Sequence, residues 1–171
     1  MKIFLIGLPG SGKTTLGKQL ASKLKLPFID LDKEIERMMN LPIKDIFKKH
    51  GQDLFRSTEQ KLLHQLTEYS TDFVMATGGG APIFFDNMAY MNQHGHTIFL
   101  DVSAREITKR ILKTKIEERP LLAGTHPDEL KDQIEFMRSQ RIKTYKQSKV
   151  CLSGNMLQLS DLLENLNREE L

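Results

Sequence analysis

Cysteine is nearly absent from this 171-residue chain, where Cys151 stands alone. An internal disulfide is therefore excluded, which fits a reducing compartment. Cys151 lies in the apolar run Val150-Cys151-Leu152, so a buried structural thiol is expected rather than a nucleophile. Long hydrophobic runs are also missing, and none approaches the length of a membrane span. No charged leader precedes the first apolar run, so a secretory signal is not expected and a cytoplasmic location is. Repeats, low-complexity tracts and linker-like segments are absent, which predicts one domain over residues 1–171. Charge of one sign is not in excess either. Lys and Arg number 25 against 22 Asp and Glu, a net charge of +3. That balance gives no argument for nucleic acid and suits small anionic substrates. With no long apolar surface stripe in view, a monomer is expected. The histidines, His50, His64, His94, His96 and His126, show no metal-ligand spacing, and His94-Gly95-His96 reads as a solvated loop pair.

What is present starts at Gly7-Leu8-Pro9-Gly10-Ser11-Gly12-Lys13-Thr14. This stretch meets the phosphate-loop pattern G-x-x-x-x-G-K-[ST] at every fixed position. Lys2–Ile6 before it is a short apolar run of strand type. Thr15–Lys25 after it carries Leu16, Leu20, Ala21 and Leu24 at helical spacing. Strand, loop and helix are the context the motif requires. Glycines allow backbone to wrap a phosphate, and the N–H groups at the helix start make an anion site. Lys13 can reach the β- and γ-phosphates, and the Thr14 hydroxyl can ligate Mg²⁺. A nucleoside triphosphate binder is predicted.

Strand-like runs recur at Ile3–Ile6, Phe28–Ile29, Phe73–Ala76, Thr97–Leu100 and Val150–Leu152. Helical patterns lie between and after them, at Lys33–Met39, Ile43–His50, Leu54–Tyr69, Ala104–Leu112, Pro127–Gln147 and Leu157–Leu166. This alternation predicts an α/β fold with a parallel sheet covered on both faces. Ligands in such sheets bind beyond the carboxyl ends of the strands. The residues just after each run are therefore the candidates for function.

Asp30 and Asp32 end the second run. At an extended strand end, positions i and i+2 point the same way, so both carboxylates are expected to face the phosphate loop. The competing role is that Asp32 merely caps a helix starting at Lys33. Arg56 can clamp a carboxylate bidentately, or be an ordinary solvated arginine. Gly78-Gly79-Gly80 exceeds what a strand-to-helix turn needs and marks backbone in close approach to a ligand. Arg119, in the charged segment Lys113–His126, can offset charge on a triphosphate. Arg141 carries little meaning alone. Lys109, Arg110, Lys113 and Lys115 form either a nucleotide-side patch or a solvated helix end.

In this order, the phosphate loop, Asp30-Leu31-Asp32, Phe55-Arg56 with Glu59, Gly78-Gly79-Gly80, Arg119-Pro120-Leu121-Leu122, and Arg141 four residues before Tyr145 together resemble shikimate kinase. That is a small family within the nucleoside-monophosphate-kinase-like fold, and the resemblance runs from Ile3 to about Leu166. It implies a three-layer αβα domain with a central five-stranded parallel sheet, acceptor-binding helices at about 31–60 and a mobile lid at about 112–126. It implies transfer of a phosphoryl group from ATP to the 3-hydroxyl of shikimate. Gly10, Ser11, Gly12, Lys13, Thr14 and Thr15 would hold the phosphates, with Lys13 on the transferred group. Thr14 and, through water, Asp30 would hold Mg²⁺. Asp32 would bind the ring hydroxyls and orient or deprotonate the attacking one. Arg56 and Arg141 would bind the carboxylate, the Gly79 backbone a hydroxyl, and Arg119 would close over ATP. Phe47 and Phe55 would line the acceptor pocket. One departure is Lys143, where the family often has proline two residues after the arginine matched by Arg141.

Other readings share the phosphate loop. A gluconate or nucleoside monophosphate kinase would use the same fold but has no need for Asp32, Arg56 and the triple glycine together. A non-catalytic nucleotide-binding module has no need to keep Lys13, Thr14, Asp30 and Asp32.

Overall fold

The computed structural model describes residues 1–113 and 126–169, the last three of these by backbone alone. Five strands form one parallel sheet: β1 (Lys2–Ile6), β2 (Phe28–Asp30), β3 (Phe73–Ala76), β4 (His96–Asp101) and β5 (Val150–Ser153), in the order β2-β3-β1-β4-β5. The helices are α1 (Lys13–Leu24), α2 (Leu31–Met39), α3 (Ile43–Tyr69), α4 (Asn87–His94), α5 (Ala104–Leu112), α6 (Leu130–Tyr145) and α7 (Leu159–Glu169), with a short 3₁₀ turn at Ala81–Ile83. All five predicted strands are present within a residue or two of their expected ends.

Alternation along the strands sorts the core into two layers. Ile3, Leu5, Val74, Ile98, Leu100, Val150 and Leu152 pack with α1 and α7 through Leu16, Leu20, Leu162 and Leu166. Phe4, Ile6, Phe73, Met75 and Phe99 pack the other face, against residues of α2 to α6 such as Ile35, Leu63, Met91, Ile107 and Tyr145. Helices therefore cover both faces of the sheet, the arrangement that parallel strands require. β1 lies between β3 and β4, so chain order reverses on either side of it. That switch point is where a crevice opens beyond the strand ends.

Two expectations are corrected. Cys151 is exposed, because β5 is an edge strand whose alternate residues point away from the core. Burial and the nearby Asp101 carboxylate still push its thiol pKa upward, which leaves it a poor nucleophile. His94 and His96 are not a loop pair: His94 ends α4 and His96 begins β4. α4 itself escaped the sequence pattern because it is short and weakly amphipathic, burying only Asn87, Met88 and Met91. The two helices expected at Ile43–His50 and Leu54–Tyr69 are both present, following one another within α3 on either side of a kink at Gly51, where φ is 77°. Lys143 is exposed and α6 continues through it to Tyr145, so the missing proline does not end the helix early.

Candidate active site

A cleft of about 1410 Å³ opens beyond the carboxyl ends of β1, β2 and β3. Its floor is Pro9 to Thr15, the end of the loop after β1 and the start of α1. Gly7, Gly10 and Gly12 take φ values of 152°, 85° and 102°, which side chains with a Cβ rarely adopt. Gly12 caps α1 without a side-chain hydrogen bond, so the helix presents its first N–H groups and its positive end to the cleft. The Lys13 ammonium donates to the carbonyls of Gly7 (2.8 Å) and Leu8 (2.9 Å), held against the loop.

Asp30 and Asp32 reach the cleft, but by a different route from the one expected. α2 begins at Leu31, and Asp30 is its cap, accepting from the Lys33 N–H at 3.3 Å. Asp32 lies in the first turn. The capping role falls to Asp30 because its strand-like φ of −105° suits the residue before a helix. The same Asp30 carboxylate accepts from the Thr14 hydroxyl at 3.0 Å, through its other oxygen. Thr14 and Asp30, separated in sequence, are thus one oxygen cluster at the mouth of the phosphate loop. Mg²⁺ is bound by one or two protein oxygens together with phosphate and water, and this pair fits that demand.

Another wall of the cleft is built on α3. Arg56 and Glu59 are one helical turn apart, 5% and 0% exposed, and joined by an Nη1–Oε2 bond of 2.7 Å. Burial of an arginine marks it out from a solvated one, since an unpaired buried charge is costly. Around this pair several buried polar atoms have no partner among the described residues: Arg56 Nε, Glu59 Oε1 and Arg141 Nη1. Such atoms call for a ligand or water. Arg141 comes from α6 and stands behind Gly79 rather than on the cleft wall. The Tyr145 hydroxyl, one turn on, donates to the Gly79 carbonyl and fixes that stretch of backbone.

The triple glycine is explained by what it touches. A Cβ on Gly78 would lie 2.6 Å from Asp32 Oδ1 and 2.9 Å from Glu59 Oε1. On Gly79 it would lie 2.9 Å from Pro9 and 3.3 Å from Arg141 Nη1, and on Gly80 it would strike the Arg56 guanidinium. Each glycine makes room for a different charged group. Gly80→Ala is therefore expected to displace Arg56 and raise the acceptor KM about tenfold or more. An unchanged KM would show that Arg56 can move without loss.

Electrostatics separate the two acidic groups from ordinary carboxylates. Burial raises the Asp32 pKa to about 6; Asp30 adds to this, and Lys13 and Arg56 oppose it. Burial raises Glu59 to about 7 against the pull of Arg56. Asp32 is thus ionised at neutral pH, yet close to the value that suits a general base.

Of the basic cluster, Arg110 belongs to the site. Its Nε bonds Glu106 (3.0 Å), its Nη1 the carbonyl of Ser11 (3.2 Å), and its Nη2 that of Asn155 (2.6 Å). It ties the phosphate loop to the segment after β5. The sequence signal was present in Ser103-Ala104-Arg105-Glu106, where the Ser103 hydroxyl caps α5 by accepting from the Glu106 N–H and Glu106 falls one turn before Arg110. Lys109 and Lys113 are exposed. Arg119, Lys115 and most of the expected lid lie outside the described residues.

Comparison with known proteins agrees with this geometry. The family model for shikimate kinase matches residues 9–166. The chain belongs to the shikimate kinase family. A shikimate kinase of Bacteroides fragilis is 42% identical over 170 residues, covering 99% of this chain and 90% of that protein. The crystal structure of shikimate kinase from Bacteroides thetaiotaomicron superposes with a TM-score of 0.90 at 39% identity, over 100% of this chain and 99% of that one. That of Acinetobacter baumannii shikimate kinase in complex with shikimate gives 0.87 at 30% identity, over 98% and 91%. The cleft is lined by both the phosphate loop and the buried Arg56. Among the described residues no helix is long and apolar enough to cross a membrane.

Proposed function

We propose that this protein transfers the γ-phosphoryl group of ATP to the 3-hydroxyl of shikimate, giving shikimate 3-phosphate and ADP. The observation that carries it is the buried Arg56–Glu59 pair, whose Arg56 Nε donor and Glu59 Oε1 acceptor have no partner among the described residues, in the same cleft as an intact phosphate loop. Shikimate offers one carboxylate and three hydroxyls. Arg56 and Arg141 take the carboxylate, while Asp32 and the Gly79 backbone take hydroxyls. Gly10 to Thr15 cradle the phosphates, and Lys13 neutralises charge on the transferred group. Thr14 and, through water, Asp30 would hold Mg²⁺, which would supply positive charge to offset that of the phosphates. Arg119, outside the described residues, would supply a further cation to ATP.

The chemistry asks little of the protein beyond position and charge. Asp32 accepts the proton of the 3-hydroxyl as that oxygen bonds to the γ-phosphorus. The bond from the γ-phosphorus to the β–γ bridging oxygen breaks, and ADP leaves with the electron pair. Phe47 and Phe55 line the acceptor end and limit its water. The domain acts as a monomer in the cytoplasm.

A coupled ADP-release assay with MgATP, comparing shikimate with gluconate, AMP and CMP, tests the proposal. Release that depends on shikimate alone is expected. Release with another acceptor would keep the phosphate site and void the roles of Arg56, Gly79 and Arg141. No release with any of them would favour a binding module.

A further inference from the structure

Phe84 has no part in the roles above, and it does not line the cleft. Its ring nevertheless packs on the group that would take the acceptor's carboxylate. The guanidinium carbon of Arg56 lies 4.3 Å from the Phe84 ring centroid, nearer than to Phe55 (4.9 Å) or Phe47 (5.9 Å). Phe55 and Phe47 both belong to α3, the helix that carries Arg56, and their rings stack on each other at 4.5 Å. Phe84 comes from a different element. It follows the 3₁₀ turn Ala81–Ile83, and Gly80 at the other end of that turn also abuts the guanidinium.

The Gly80–Phe84 segment thus holds one cation from both of its ends, by bare backbone and by an aromatic face. The segment is itself fixed. Ala81 and Pro82 are buried, the Ile83 N–H donates to the Gly80 carbonyl at 2.9 Å, and fully buried Asn87 donates to the Ala81 carbonyl at 2.9 Å. A guanidinium on a ring face is attracted by the ring quadrupole. Its N–H groups lie in its own plane and remain available for hydrogen bonds. Glu59 occupies Nη1, and Nε has no partner among the described residues. Arg56 lines the cleft, and a bidentate contact of that open edge with a carboxylate tolerates little rotation of the guanidinium.

We propose that Phe84 is a positioning residue for acceptor binding, its ring fixing the plane of the Arg56 guanidinium so that the open edge meets the acceptor's carboxylate. This rests on the function proposed above. The test is steady-state kinetics of the full chain with shikimate and MgATP, for Phe84→Leu and Phe84→Tyr, each in the parent and in Arg56→Gln. Leucine keeps apolar bulk and loses the aromatic face; it is expected to raise the shikimate KM about 5- to 10-fold, with kcat and the ATP KM nearly unchanged. Tyrosine keeps the face and is expected to keep the parent KM. In the Arg56→Gln background, Phe84→Leu is expected to add almost nothing, because a residue acting through Arg56 is non-additive with its loss.

An unchanged shikimate KM in Phe84→Leu would overturn the proposal. So would equal losses in kcat and ATP affinity, which mark general distortion, or full additivity with Arg56→Gln. A parent inert toward shikimate would overturn the proposed function itself, and this inference with it. An active parent with a silent Phe84→Leu would overturn the inference alone.

Discussion

Asp32→Asn is expected to lower kcat about 10³-fold while leaving MgATP binding nearly unchanged, the size of a lost general base. Asn fills the same space in the first turn of α2 and can still accept a hydrogen bond, but it cannot take a proton. The phosphate loop lies on a different element and should keep its nucleotide. Steady-state kinetics with shikimate, together with calorimetric titration of MgATP, check both halves. A parent-like rate would remove Asp32 from the chemistry. The pH profile is a second check. With the Asp32 pKa raised to about 6, kcat/KM of the parent should be level above neutrality and fall as pH drops through 6.

The same raised pKa has a consequence for stability with the opposite sign from that of a paired carboxylate. Folded Asp32 holds its proton more tightly than the unfolded chain does. The parent therefore loses stability as pH rises from the unfolded value of 3.8 through about 6. Asn at 32 escapes that loss. Asp32→Asn should melt higher than the parent above pH 6, by on the order of 2 kcal/mol, and the gain should vanish near pH 4. Equal melting at both ends would mean that water reaches the carboxylate freely. A catalytic group that destabilises the resting fold is an ordinary compromise at an active site.

Arg56→Ala is expected to raise the shikimate KM about 100-fold, because it removes charge-assisted bonds in a buried setting. Arg141→Ala should raise it only about tenfold, since Arg141 stands behind Gly79 rather than on the cleft wall. Normal acceptor KM values in both variants would end the carboxylate-clamp assignment. Arg56→Ala also leaves Glu59 buried without its cation. Arg56 holds the Glu59 pKa down against burial, so its loss sends that pKa above the present value of about 7. Glu59 then folds as the neutral acid. The stability deficit of Arg56→Ala should be small at acidic pH and grow as pH rises through and beyond 7. Thermal melts across that range, paired with Arg56→Ala/Glu59→Gln, separate the two effects. The double variant should recover most of the stability and none of the shikimate affinity. Recovery of affinity would place the acceptor elsewhere.

The phosphate loop was legible because its chemistry is local: glycine spacing, lysine and threonine lie within eight consecutive residues, Gly7 to Thr14. The sheet was legible for a similar reason, since strands buried on both faces read as short apolar runs. Asp30 and Asp32 were found, but a capping role was weighed only for Asp32 while Asp30 is the cap, because sequence does not say whether the residue after a strand is still extended. Arg56 looked like any surface arginine, for a helix face becomes buried only by what packs on it. Phe84 carried no signal at all.

The sequence by itself determined the fold class, the nucleotide end of the cleft and, through the ordered set of motifs, the family. Those depend on patterns within one turn or one strand. Only the tertiary structure decided that Arg56 and Glu59 are buried, that Asp32 ionises late, and that each of Gly78, Gly79 and Gly80 accommodates a separate charged side chain. It also decided that a phenylalanine from beyond the triple glycine rests on the arginine of α3. Burial and proximity between distant segments are properties of the packed chain, and they set both the pKa values and the orientation of the acceptor site.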